Sequence, residues 1–196
     1  MKGADLAVVA GQLGRTPQTM SRVAARCPFR FPAAVETLPY DADGKPFPTL
    51  FYLTCPTLVV AVSRLESGGG VQAWSTRLAA DPALAHAVGA AATAARRRRR
   101  ELVRRYGLRM VDGGASLKTG VGGVADVRAV KCLHAHVAHA LARPAYTFGR
   151  AVLAEAEDPW CADARCAAFL LSAESAPRES PSSTSAPTPA ASSWPR

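Results

Sequence analysis

The pattern of hydrophobic and polar positions predicts a β region in the first part of the chain. Residues 18–55 hold short segments of mixed polarity, separated by the proline-containing stretches "CPFRFP" and "DADGKPFP". Asp43-Gly44 is typical of the tip of a hairpin turn, and the prolines keep the flanking strands short. We therefore predict a small antiparallel β meander over about residues 18–55.

A helical pattern follows. Pro56 suits a first helical turn, "VQAWSTRLAA" predicts a second helix, and Asp81 before Pro82 is typical of the start of a third. Beyond a glycine-rich loop, two more helices are predicted over residues 126–142 and 147–156. The predicted fold class is α+β, a short antiparallel meander packed with four to five helices.

The composition changes near the C-terminus. Residues 171–196 are rich in Ser, Pro and Ala and have no periodic apolar face, which predicts a disordered tail. A chain of 196 residues is long enough to bury a core, so residues 1–170 are expected to form one globular domain.

Hydropathy and cysteine usage suggest a location. The most apolar run, residues 50–62, contains a proline and is shorter than the roughly 20 residues that a spanning helix needs. An odd number of cysteines, five, argues against a disulfide framework. We expect no association with a membrane and a cytoplasmic location.

The formal net charge of +9 favours an anionic partner such as polyphosphate, nucleic acid or an acidic protein. The apolar stripe of the third helix continues onto Arg98. Either the aliphatic stem of this side chain lies along the core with its charge at the edge, or the helix extends beyond the body here. The dense run "ARRRRRELVRR" is either a solvated helix end or an anion-binding patch. No aromatic platform or zinc-finger spacing accompanies it, so specific nucleic-acid recognition is not expected. The arginines concerned are Arg96, Arg97, Arg98, Arg99, Arg100, Arg104 and Arg105.

The glycine-rich stretch "GGASLKTGVGG" is similar to the end of a phosphate-binding loop. The spacing is wrong, because Leu117 stands where a glycine must precede Lys118. The segment "GVGG" before a helix is interpreted either as a backbone nest for an anion or as a flexible connector.

The stretch "VKCLHAHVAHALA" concentrates candidate chemistry. At 100° per residue, Cys132, His136 and His139 lie opposite the apolar face of a helix, while His134 lies beside that face. Thiol and imidazole groups together suit zinc or another borderline metal. Two alternatives stay open, namely structural or surface residues and a Cys–His nucleophilic pair. The predicted core face consists of Val130, Leu133, Val137, Ala140 and Leu141.

Several stretches together resemble the bacterial domain-of-unknown-function family 501. They are "RVAARCPFRFPAAVET", "DGKPFPTLFYLTCP", "AVSRLESGGGV", "VKCLHAHVAHALA" and "AVLAEAEDPWC", and they cover about residues 5–166. The Arg- and Ala-rich composition looks like the actinobacterial branch. The family has no established activity. In that branch the genes often lie near those for enolase, a septum-formation initiator and an exopolyphosphatase, which suggests a link to cell division or polyphosphate metabolism.

The resemblance also implies a set of site residues. The family pattern repeats the cysteines that match Cys27, Cys55 and Cys132. It also repeats the histidines that match His134 and His139, whereas the position of His136 is less uniform. The segment between residues 108 and 130 departs from the pattern. We therefore expect a metal site, for zinc or an iron–sulfur cluster, in which the thiols converge. Its ligands would come from Cys27, Cys55, Cys132 and His134, with His139 and His136 as further candidates.

Overall fold

The computed structural model describes residues 3–126 and 129–170. Its sheet is a three-stranded antiparallel meander in the order β1-β2-β3, as the sequence predicts. Val35 in the central strand lies opposite Val23 on one side and Tyr52 on the other, and every residue of that strand is buried. The strands are β1 (Met20–Arg26), β2 (Pro32–Thr37) and β3 (Phe51–Leu53).

The helices pack around this sheet, so the α+β fold class is confirmed. The predicted start signals are confirmed as well. Pro56 opens the helix after β3, and the Asp81 carboxylate accepts hydrogen bonds from the amides of Ala83 and Leu84 at 2.8 and 3.2 Å. The helices are α1 (Gly3–Leu13), α2 (Pro56–Ser67), α3 (Gly70–Ala80), α4 (Pro82–Tyr106), α5 (Leu133–Ala142) and α6 (Thr147–Ala154).

Helix α1 has no counterpart among the helices predicted from the sequence. Val8 and Val9 on its inner face are buried, and Gln12 donates a hydrogen bond of 2.8 Å to the carbonyl of Pro32. Within the described ranges, no helix combines the length and the apolar character needed to cross a membrane. The tail predicted over residues 171–196 lies outside the described residues, and the extent of the domain stays a prediction.

The prediction for α5 is wrong in two respects. The helix begins at Leu133 rather than near residue 126, and Cys132 precedes it in an extended conformation with φ −157° and ψ 123°. His136 and His139 are not opposite the core but are only 1% and 4% exposed. The reason is that α5 packs against β2, β3, α2 and α6 together, so its polar face is covered as well.

A buried ion pair joins the sheet to α4. Glu36 on β2 has a fully buried side chain, and its carboxylate accepts hydrogen bonds from Arg22 at 2.7 Å and from Arg98 at 2.8 and 2.9 Å. Arg98 therefore lies against the body, which is the first of the two alternatives that the apolar stripe leaves open. A solvated helix end is the wrong interpretation for this part of the arginine run.

The adjacent Arg99 is fully buried, which the sequence pattern does not predict. Its guanidinium donates to the carbonyls of Thr119 and Gly120 at 2.8 and 2.9 Å. These carbonyls lie between two short 3₁₀ turns, Ala115–Lys118 and Val121–Gly123. The glycine-rich segment is thus held by a cation bound to its carbonyl groups rather than being a plain flexible connector.

Replacing Arg99 with alanine is expected to lower the free energy of unfolding by about 2 kcal/mol, because the change leaves a cavity and two carbonyls without a donor. Burial lowers the pKa of Arg99 to about 10, so part of this loss is offset by removing a desolvated charge. Urea unfolding measures the difference. Arg100→Ala is the matched control, since Arg100 is exposed in the same helix, and equal effects of the two changes would contradict the prediction.

Candidate metal centre

A cavity of about 430 Å³ lies where β3, α2 and the N-terminus of α5 meet. Phe51, Leu53 and Val59 form apolar parts of its wall. Cys132 and His134 line the same cavity, and both are partly exposed. A mostly apolar wall with a few convergent polar groups is typical of a binding site for a small ligand.

The start of α5 brings these polar groups together. Cys132 is the residue before the first turn, and His134 lies within that turn. Glu66, in the last turn of α2, accepts a hydrogen bond from the backbone amide of Leu133, which is one of the free amides at the start of α5. The carboxylate therefore caps α5 and lies beside the thiol and the imidazole.

Three potential metal ligands converge here. A carboxylate oxygen of Glu66, Sγ of Cys132 and Nδ1 of His134 all lie within 4.8 Å of one another. Sγ lies 3.6 Å from Nδ1, and Nδ1 lies 3.1 Å from Oε1 of Glu66. Ligand atoms bound to one tetrahedral zinc ion lie roughly 3.3–3.7 Å apart, given the usual bond lengths. Small movements would let the three atoms share one ion.

The second nitrogen of His134 has its own partners. Nε2 lies 3.2 Å from the carbonyl oxygen of Val59 and 3.1 Å from Oγ of Ser63. A carbonyl can only accept, so Nε2 carries a proton and, in the neutral ring, Nδ1 keeps its lone pair. Histidines that bind metals are commonly oriented in this way, with the remote N–H donated to a carbonyl.

The electrostatics of the site favour a proton where a metal would bind. Hydrogen bonding to Cys132 raises the pKa of His134 to about 9, against the opposing effect of burial, and the negative charge of Glu66 adds to the rise. Without a metal, Nδ1 is therefore protonated at neutral pH. A metal ion would replace this proton, as metal ligation by imidazole requires.

The structure does not bring the other predicted cysteines into this cluster. Cys27 follows β1 and is partly exposed, and Cys55 is buried just before α2. Burial raises the pKa of the Cys55 thiol. Within residues 3–126 and 129–170, Glu66, Cys132 and His134 form the one such group of possible ligands.

The two further histidines have buried positions on α5. His136 Nδ1 lies 2.6 Å from the hydroxyl of Tyr146, and the ring of His139 packs edge-on against Phe51. Burial lowers the pKa of His136 to about 4 and that of His139 to about 3, so both rings are neutral. Neither lies in the cluster around Cys132.

Glu66 is not among the residues predicted from the sequence, where only cysteine and histidine were considered as ligands. One signal does mark it. An acidic residue in the last turn of a helix opposes the helix dipole, so it is expected to have a compensating partner. In the stretch "SRLESGGG" this placement is visible from the sequence alone.

A family model with the description "Protein of unknown function (DUF501)" matches residues 23–154, which is more than half of the chain and includes the three clustered residues. No curated protein and no solved structure matches the chain.

Proposed function

The chain belongs to the family of proteins of unknown function DUF501. We propose that it works as a metal-binding protein. The metal is a divalent transition-metal ion, zinc foremost. Its ligands are Glu66, Cys132 and His134. The observation that carries this proposal is the convergence of one oxygen, one sulfur and one nitrogen donor within 4.8 Å of one another, with the sulfur and the nitrogen donors at the wall of a cavity.

The donor set favours zinc over an iron–sulfur cluster. Zinc accepts carboxylate, thiolate and imidazole ligands together, whereas iron–sulfur clusters are usually held by four thiolates. The described cluster offers one thiol, that of Cys132. Three protein ligands also leave a coordination position for water or a substrate atom, which is typical of catalytic rather than structural zinc.

The arrangement around His134 contains more than a simple Cys–His nucleophilic pair needs. In such a pair, the third group orients the histidine from the nitrogen opposite the nucleophile, and the carbonyl of Val59 already holds that position at Nε2. The Glu66 carboxylate is additional, and it lies with the Cys132 thiol beside Nδ1. A carboxylate next to a thiol at the same nitrogen is better explained by a shared cation.

Residues around the three proposed ligands orient them and line the cavity beside them. The carbonyl of Val59 fixes the ring of His134 through Nε2–H, and the amide of Leu133 fixes Glu66. Lys131 is exposed at the same cavity and would favour a ligand with a negative group. A bound zinc ion would supply Lewis acidity and lower the pKa of a bound water.

Metal analysis of the full chain tests this proposal. Protein purified without chelator is expected to hold about one equivalent of zinc or a similar ion, and less than about 0.2 equivalents would contradict the proposal. Cys132→Ser and His134→Ala should each weaken zinc affinity by at least about tenfold. Cys161→Ser and His86→Ala are matched controls outside the cluster. Equal losses in the control variants would also contradict the proposal.

We also propose a cytoplasmic location, since all five cysteines are free thiols, which persist in reducing compartments.

The alternative function, binding of an anionic macromolecule through the arginine run, has less support. Arg98 and Arg99 are engaged with Glu36 and with backbone carbonyls, so the run does not present one continuous basic surface.

A further inference from the structure

A second and larger cavity, of about 630 Å³, lies between α4 and α5 and is named the groove here. Phe51 lines both this groove and the cavity beside Cys132. The apolar part of the groove consists of Leu50, Phe51 and small alanine side chains of α4 such as Ala94. Its volume suits a small molecule.

The charges that line the groove are unequal. Arg98 is bound to Glu36 and, at 3.0 Å, to Glu101, so its charge is balanced. Arg97 and Arg143 also line the groove and are exposed, and no carboxylate in the part of the chain that the structure describes forms an ion pair with either of them. Two uncompensated guanidinium groups therefore face one cavity, which favours a negatively charged ligand.

His139 gives an independent indication of a ligand. The side chain is 96% buried, since only 4% of it is exposed, and it lines the groove. Its ring packs against Phe51 and Tyr146, and no hydrogen bond joins either ring nitrogen to the described residues. The two nitrogens are not among the fully buried polar atoms without a partner in this part of the chain, so they are accessible from the groove, where a ligand would supply a partner.

We infer that this groove binds a small anionic molecule with an apolar body. Its phosphate or carboxylate group contacts Arg97 and Arg143, its body lies against Phe51 and Ala94, and His139 forms a further hydrogen bond with it. This site is separate from the proposed metal centre. The carboxylate of Glu101 is the one negative group in the lining, and its pairing with Arg98 limits its repulsion of the ligand.

Titration of the full chain with three related probes tests the inference. They are phenyl phosphate, benzoate and the neutral benzyl alcohol, followed by calorimetry and by the NMR signals of the His139 ring. We expect saturable binding of at least one anion and at least about tenfold weaker binding of the alcohol. Tighter binding of phenyl phosphate would identify a phosphate ligand, and tighter binding of benzoate a carboxylate. Equal binding of the alcohol, or no binding of either anion, would overturn the inference.

Variants separate this site from general attraction to a basic protein. Arg97→Ala and Arg143→Ala should each weaken binding of the anion by about tenfold, as expected for loss of a charge-assisted hydrogen bond. Arg100→Ala removes the same charge from the same helix outside the groove and should change affinity less than about twofold. An equal loss in Arg100→Ala would overturn the inference. Thermal unfolding of each variant confirms that the fold is kept.

Chelated protein separates the two proposals. Since the groove lies apart from Glu66, Cys132 and His134, removal of metal should leave probe affinity unchanged. Loss of probe binding on chelation would mean that the metal centre, and not the groove, binds the anion. If the protein binds no metal but still binds the probes, the metal proposal fails and the inference about the groove stands.

Discussion

Replacing Glu36 with alanine is expected to lower the free energy of unfolding by about 3 kcal/mol, because it removes the acceptor of a buried charged network. The carboxylate is fully buried on the central strand and is held by Arg22 and Arg98. Arg98 has a side chain that is only 20% exposed and would keep Glu101 as its remaining partner. The change therefore weakens the contact between the sheet and α4. Urea unfolding at pH 7 measures the loss.

The contacts of Glu36 with Arg22 and Arg98 also make the free energy of unfolding depend on pH. Burial alone would raise the pKa of Glu36, but the hydrogen bonds from Arg98 and Arg22 outweigh it and lower the pKa from 4.5 to about 2. A carboxyl group with a lowered pKa contributes stability above its unfolded pKa and loses it as the pH falls towards the folded value. Between pH 4.5 and about 2, the wild type should lose about 3 kcal/mol from this group, and Glu36→Ala should not show this part of the loss.

Asp43→Ala is the matched control for Glu36. Asp43 pairs with Lys45 at 3.7 Å, and both side chains are more than 70% exposed. An exposed pair of this kind contributes about 0–1 kcal/mol, so the control should unfold close to the wild type. A loss below about 1 kcal/mol in Glu36→Ala, or an unchanged acid dependence, would contradict the account of the buried pair.

Gly149→Ala is expected to destabilise the fold by about 2–3 kcal/mol, because it forces two helices apart. A Cβ atom on Gly149 would lie 2.2 Å from the carbonyl oxygen of His136 and 2.8 Å from Cβ of Ala140. The close contact is with backbone, which cannot turn aside as a flexible side chain can. This glycine therefore sets the distance between α5 and α6.

Gly89→Ala provides a control of opposite sign. Gly89 lies within α4, and a Cβ there would meet no atom within 4 Å. Alanine in place of glycine in a helix interior is favourable by roughly 0.5–1 kcal/mol. Thermal or urea unfolding of the two variants should thus move in opposite directions. A neutral or stabilising effect of Gly149→Ala would show that α5 and α6 are not packed this closely.

Much of the fold could be predicted from the sequence, because its signals are local. The prolines and the Asp43-Gly44 turn indicate short antiparallel strands, and Asp81 and Pro56 mark helix starts that the structure confirms. The start of α5 could not be predicted in this way. The apolar spacing continues through Val130, although the helix begins only at Leu133, after Cys132 in an extended conformation.

The candidate site could be predicted only in part. The resemblance favoured His134 over His136, and the structure places His134 beside Cys132. The helical projection gave the opposite preference, because it assumed that Cys132 lies within the helix and that one face of α5 meets solvent. Glu66 is 66 positions away from Cys132 in the chain, and no periodicity connects the two.

The sequence was sufficient for most of the local elements, for the excess of positive charge and for two of the three candidate ligands, Cys132 and His134. Only the tertiary structure shows which of the arginines of the run, Arg97 or Arg99, is exposed, and that a carboxylate from α2 meets the thiol before α5. The physical reason is the range of the interactions. Turns and helix caps depend on neighbours within a few residues, whereas burial and the convergence of donor atoms depend on how distant elements pack.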